Sequence, residues 1–428
     1  MQLVQEKEAS LRMRRETVIR ARVALSYFTL VALMGLLLRW QLYSPVEVLN
    51  YRNLLHAHSH VALLGWLYCA FFAALLYAFP PETEKQRHSF NRQFYLTQVS
   101  VLGMLFSFPV QGYALFSITF STLHILLSYW FAWSFWKHVK QNDKLWRKYK
   151  LSLQFIAWAL LFLVLSTIGP WALGPIMAKG MAGGKLYYSA IYFYLHFQYN
   201  GWFTFAVLGL LFWYLRSRGI CYSKVWAKRV YTLMVLACVP AFALSVLWAK
   251  PGAIWFGIGG IAAVLQMMAL GYLLKLLWEV REELARELMP WVKGLFLLAL
   301  LALSLKLVLQ VASAVPYFAD LAYNLRYFII GYLHLSLIGF VSVFMLGFFV
   351  QLGLYRLGKY GKIGLVLLLL FFFISEAFLF LQGTLLWLEL KSLPNFNLLM
   401  FIISIGMPVG LLLFFFEQKS LYLYRQRR

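Results

Sequence analysis

Apolar runs of roughly 18 residues or more recur from one end of this chain to the other, and that is the length a helix needs to cross the hydrocarbon core of a bilayer. Backbone polar groups have no water to bond to at that depth, so a crossing segment must satisfy them internally, as a helix does. The runs predict about twelve spans, at 23–42, 55–79, 94–115, 117–136, 151–174, 188–215, 230–249, 253–277, 292–315, 327–352, 364–388 and 397–416. The expected fold class is therefore all-α and integral to the membrane, with residues 1–428 forming a single polytopic domain.

Composition agrees. Hydrophobic residues make up 62% of the 428 and charged residues 13%, whereas soluble domains run near half and a quarter. The net charge of +24 would suit a nucleic-acid partner if it formed one patch, but it is distributed by loop. Arg12, Arg14, Arg15, Arg20 and Arg22 lie in a basic segment, 1–22, before the first span. Lys85, Arg87 and Arg92 follow the second span, Lys137 to Lys150 the fourth and Arg216 to Arg229 the sixth. Arg356, Lys359 and Lys362 follow the tenth, and Arg425, Arg427 and Arg428 close a basic tail, 417–428. The opposite loops hold Arg52, Lys179, Lys185, Lys250, Arg326, Lys391 and a few neighbours. The bias is the positive-inside pattern. It predicts a bacterial-type cytoplasmic (inner) membrane with both chain ends in the cytoplasm, the lipid bilayer as the partner and no nucleic acid. Cys69, Cys221 and Cys238 make no disulfide framework. The N-terminal apolar stretch is too long for a cleavable signal. The amphiphilic segment Glu279 to Lys293 predicts a short interfacial helix.

An internal repeat points toward chemistry. His60, His196 and His334 are each followed five residues later by a glycine and then an aromatic residue: Gly65-Trp66, Gly201-Trp202 and Gly339-Phe340. The histidines are 136 and 138 residues apart, on every fourth span. Three four-helix arcs about a pseudo-threefold axis would put spans two, six and ten in equivalent places. At about 1.5 Å per residue the histidines lie roughly 8, 15 and 12 Å below the outer helix ends. Ionisable side chains are costly there, and neutral imidazole is a common metal and axial haem ligand. The plainer alternative is hydrogen bonding between helices.

With these residues the chain resembles the catalytic subunit of the haem–copper oxidase superfamily, and most closely the large subunit of bacterial nitric oxide reductases. The resemblance covers the whole length and is strongest at Gly331-Tyr332-Leu333-His334-Leu335-Ser336-Leu337-Ile338-Gly339. There the family carries His-x-His, whose second histidine, an axial ligand of the low-spin haem, matches His334; Tyr332 stands where the first would bind the high-spin haem. On span two the resemblance assigns the other low-spin ligand to His60, with His58 the rival, and the run His56-Ala57-His58-Ser59-His60 also resembles NnrS-like proteins. His196 resembles the family's ligand to the second active-site metal, with Asn200 where nitric oxide reductases carry Glu. The family's further His-His pair is missing from 230–249. The resemblance thus implies one bis-histidine haem b for electron transfer, an incomplete binuclear centre, and copper or non-haem iron at His196 only if that site is retained. Arg52 and Arg326 would pair with the propionates or anchor at headgroups. It further implies cytochrome c or a quinol as electron donor and a partner subunit, and an oxidoreductase acting on oxygen or nitric oxide if the protein is an enzyme.

The remaining polar residues leave alternatives open. His56 and His60 share a helix face and suit either a copper or zinc pair or solvation at the membrane edge. Lys306 and Glu376 are the clear mid-membrane charges, expected as an ion pair, a proton path or separately neutralised groups. His124 reads as a packing or hydrogen-bonding residue. A cofactor-free transporter or structural partner on the same fold is one competing reading, and a terminal reductase using Tyr332 and Tyr194 as unusual ligands is another. Walker, dinucleotide, Cys-x-x-Cys and nucleophile-elbow motifs do not occur.

Overall fold

Helix is the only regular structure in the computed structural model, which describes residues 2–425 and the side chains of 11–418. Arg427 and Arg428 of the expected basic tail lie outside the described residues. In chain order the long helices are α1 (Gln2–Tyr43), α2 (Tyr51–Ala78), α3 (Glu84–Gln111), α4 (Leu115–Gln141), α5 (Lys150–Ala178), α6 (185–217), α7 (Lys224–Ala249), α8 (Ala253–Glu279), α9 (Pro290–Ser313), α10 (Arg326–Gln351), α11 (Lys359–Trp387) and α12 (Phe396–Gln418). Eleven of the described helices are long and apolar enough to cross a membrane, which makes this an all-α, multi-pass membrane protein in contact with lipid. The helix over the expected span 188–215 is α6. Its His196, Gln198, Asn200 and cluster of tyrosines dilute its apolarity below that of the others.

Local chemistry explains where the helices depart from the expected bounds. Helix α3 begins ten residues earlier than hydropathy predicts, because a capping box holds its polar start. The Thr83 hydroxyl accepts from the Gln86 N–H at 3.2 Å, and the Gln86 side-chain oxygen accepts from the Thr83 N–H at 3.3 Å. Helix α7 is interrupted: Lys224–Cys238 is followed by a turn at Pro240 and then by Phe242–Val246 and a last 3₁₀ turn. Proline lacks the N–H of the helical ladder. The amphiphilic segment after α8 contains the short helix Arg281–Glu287.

Three stretches leave α geometry, and each begins at the residue after a repeated histidine. They are Val61–Leu67, Phe197–Phe203 and Leu335–Ser342. All three are π-helical; the Tyr68 N–H, for example, reaches back five residues to the Leu63 carbonyl. The helices are unbroken there but locally widened. A widened turn disturbs the regular carbonyl ladder, and hydroxyls compensate at equivalent positions of two repeats. Thr204 donates to the Tyr199 carbonyl at 2.6 Å, and Ser342 donates to the Leu337 carbonyl at 2.7 Å. The repeat seen in the sequence is thus also a repeat of backbone geometry.

The chain divides into two compact units, residues 1–131 with 348–428, and residues 132–347. In the first, one polar end is fastened by buried charge. Glu16 pairs with Arg20 at 3.2 Å and with Arg87 at 3.4 Å. Arg87 also pairs with Glu84, and Arg20 bonds Asn91. The Tyr355 hydroxyl donates to the Ala21 carbonyl at 2.6 Å. Two arginines of the topology pattern are therefore buried ion-pair partners. In the second unit α5 and α6 are tied by Ser152, which donates to the Gly209 carbonyl at 2.6 Å, and Trp158 of α5 donates to the Tyr231 hydroxyl of α7 at 2.9 Å. Among the eleven candidates α2 and α10 are the most enclosed, with 89% and 78% of their apolar windows buried against 33–56% for the rest, and α6 is buried almost throughout 196–215.

Candidate functional site

The most polar buried constellation lies within the second unit, around His196. His196 and Asn200 are one turn apart on α6, so both side chains project from one face. The interruption of α7 supplies their partner. Beyond Pro240 the Phe242 N–H bonds the Val239 carbonyl, and the carbonyl of Cys238 is left to face α6. His196 Nε2 donates to it at 2.9 Å, and the Cys238 thiol reaches the Asn200 carbonyl at 3.8 Å. A carbonyl can only accept, so Nε2 carries the proton and Nδ1 the lone pair. Asn200 donates its amide to Nδ1 at 3.1 Å, and the Ser245 hydroxyl lies 3.3 Å from the same atom.

Asn200 turns its amide oxygen to α9. There Lys306 Nζ donates to Asn200 Oδ1 at 2.5 Å and to Gln310 Oε1, one turn along its own helix, at 2.9 Å. The ammonium also stands 5.9 Å from the centroid of the Tyr199 ring, which packs edge-on to Tyr332 at 6.1 Å. His196, Asn200 and Lys306 are at most 3% exposed. Burying an ammonium costs several kcal/mol unless its donors are met; two amide oxygens and an aromatic face meet them here. The result is a continuous chain of hydrogen bonds from Ser245 through His196 and Asn200 to Lys306 and Gln310.

Lys306 is held by amide oxygens of its own unit, and Glu376, 7% exposed on α11, belongs to the first unit. Both ring nitrogens of His196 are engaged by protein groups. The donor set does not fit the copper or non-haem iron weighed for this position. Among the described residues, no three His, Cys, Asp or Glu side chains converge to hold a metal ion.

The other histidine cluster lies in the first unit. His60 Nδ1 donates to the His56 carbonyl at 2.8 Å, and the Tyr113 hydroxyl lies 3.5 Å from His60 Nε2. Its ring packs on Phe108, with centroids 4.3 Å apart. His56 packs edge-on to Tyr113 at 4.7 Å, so the imidazoles of His56 and His60 flank one phenol. His58 projects differently, to α1. Its Nδ1 lies 3.1 Å from the Val31 carbonyl, and Gly35 leaves the room, since a Cβ there would stand 3.2 Å from the imidazole. His124 reaches the Leu64 carbonyl inside the first π stretch and packs edge-on to Tyr68 at 4.7 Å. His334, half-buried, closes the α-helical part of α10 in the second unit, and Arg52 and Arg326 stand exposed in the first turns of α2 and α10.

Sequence reasoning reached His196 and Lys306 but missed Gln310, Ser245, Tyr199 and the Cys238 carbonyl. Two signals were available: Gln310 is one turn from Lys306, and Pro240 interrupts an otherwise apolar span. No protein-family model matches the chain, and no curated protein matches it.

Proposed function

We propose that this chain is a haem-binding membrane protein with twelve spans in three arcs, built like the catalytic subunit of the haem–copper oxidases, and that it carries one haem b for electron transfer. The observation that supports this best is the tautomer of the span-two histidines. His60 and His58 each direct Nδ1 to a backbone carbonyl, which puts the lone pair of each ring on Nε2, that of His60 facing the Tyr113 hydroxyl at 3.5 Å. Outer carbonyl bonds of this kind are what orient ligating imidazoles and raise their basicity. His334 supplies the other axial ligand on the strength of the resemblance, and His60 and His58 are the two candidates for the first. When bound, the haem would supply one-electron redox chemistry, with cytochrome c or a quinol as donor and a partner subunit as an associated carrier. Arg52 and Arg326 would pair with the propionates. In this reading the second-metal position has been filled by hydrogen bonds, and no reduction step is assigned to it. The membrane is a bacterial-type cytoplasmic one, with both chain ends in the cytoplasm.

A second reading, a cofactor-free transporter or proton conductor, is favoured by Lys306, because a buried ammonium bonded to a polar chain is expensive in a membrane and such residues mark conduction paths. A pyridine haemochrome assay with a reduced-minus-oxidised spectrum on the detergent-purified full chain separates the two. The expected result is about one haem per chain, lost in His334→Ala and in one of His60→Ala and His58→Ala. Absence of haem from protein produced with adequate haem supply would sink the first reading and leave the second.

A further inference from the structure

A crevice of about 260 Å³ opens within the second unit between α6, α8, α9, α10 and the short helix Arg281–Glu287. Its walls are hydrocarbon, including Leu273, Leu300, Phe340 and Phe344, and the two charged residues lining it are both cations, Arg281 and Lys293. These cations lie where α8 ends and α9 begins, so the crevice is apolar along its length with two cations at one end, beside a short helix that also carries Glu282, Glu283 and Glu287. The segment rich in Arg and Lys after α6 lies at that same end: Trp226 donates to Glu279 at 2.9 Å, and Arg218 stands 4.0 Å from Glu287. By the charge bias of the loops, this is the cytoplasmic end.

We infer that the crevice binds an anionic phospholipid of the cytoplasmic leaflet, its phosphate held by Arg281 and Lys293 and an acyl chain lying against Leu273, Leu300 and Phe344. The shape selects an amphiphile, because a wholly polar ligand would leave the walls unsatisfied and a neutral hydrocarbon would leave the cations unused. Sign and leaflet agree, since basic pockets between helices on the cytoplasmic side collect anionic headgroups. Arg281 already bonds Glu282 at 3.2 Å and the Trp278 carbonyl at 2.9 Å, so the phosphate competes with one exposed carboxylate. Lys293 is exposed and free to turn toward the head. The inference is independent of the haem reading.

The test is native mass spectrometry of the delipidated full chain titrated with phosphatidylglycerol and with phosphatidylcholine of the same acyl chains. Phosphatidylglycerol is expected to bind in preference, and Arg281→Gln with Lys293→Gln to remove roughly five-fold of that preference per cation. Leu300→Trp, which fills the crevice and leaves the cations, is expected to weaken both lipids. A control pair on another basic segment, Lys137→Gln with Lys140→Gln, is expected to change nothing. Equal binding of the two lipids by the unaltered chain, or an equal loss of preference in the control pair, would overturn the assignment and show only diffuse attraction to surface charge.

Discussion

His196 of α6 donates its Nε2 proton to the main-chain carbonyl of Cys238, 2.9 Å away on α7, and this bond exists because α7 is interrupted two residues later at Pro240. The interruption carries a cost, the loss of regular ladder bonds, and the histidine offsets it by taking up the exposed carbonyl. The imidazole is consequently a fixed, neutral strut between two helices whose other nitrogen is turned to Asn200. Its chemistry is decided by a backbone break elsewhere in the chain.

Replacing His196 with Ala is expected to lower stability by about 1–3 kcal/mol, the cost of stranding a buried acceptor, while haem content stays at the level of the unaltered chain. Thermal melting in detergent beside a haemochrome assay checks both parts. Loss of haem with unchanged melting would show that the ring ligates rather than braces.

Asn200 and Lys306 should behave asymmetrically. Asn200→Leu leaves the buried Lys306 amine with one bond fewer and is expected to cost about 3 kcal/mol or more, whereas Lys306→Met removes the charge and strands the amide oxygens of Asn200 and Gln310, at an expected cost of about 1–3 kcal/mol. Combining them should cost less than the sum of the two, because the shared bond is lost only once. A double-mutant cycle on melting temperatures, with the two changes simply adding, would contradict the hydrogen bond between them.

Gly201 sits where α5 closes on the second π stretch, and a Cβ there would stand 2.6 Å from Phe162 Cβ. Gly201→Ala is therefore expected to destabilise by about 1–3 kcal/mol through overpacking. Gly271→Ala, on α8 with nothing within 4 Å of the added carbon, is expected to be neutral or stabilising by up to about 1 kcal/mol through helix propensity. Equal melting temperatures for the two variants would mean that α5 can withdraw without cost.

The hydroxyls of Thr204 and Ser342 each bond a carbonyl five residues back. Thr204→Val and Ser342→Ala should each cost about 1 kcal/mol and speed amide exchange in 197–204 and 335–343 respectively. Exchange that is unchanged there, followed by mass spectrometry, would show the π turns to be held by packing alone.

Much of this molecule was legible from the chain itself, because hydropathy and its spacing are local properties. A run long enough to span lipid must become a helix wherever it lies, so most of the long helices could be located before any packing was known. The repeated His-x₄-Gly-aromatic frame was legible for the same reason, although its meaning was not. Nothing in its spacing distinguishes an α-helical turn from the π turn that follows each histidine, since both bury the same residues.

What the sequence determined by itself was a chain of apolar helices with ionisable groups at costly depths, Lys306 and His196 among them. Only the tertiary structure decided their partners. The Cys238 carbonyl is a main-chain atom that carries no residue signature. Asn200 and Lys306 are 106 residues apart, and their meeting depends on how α6, α7 and α9 pack. A buried polar group must find its hydrogen bonds somewhere, but that requirement names no partner; the partner is set by which helix faces the packing brings together.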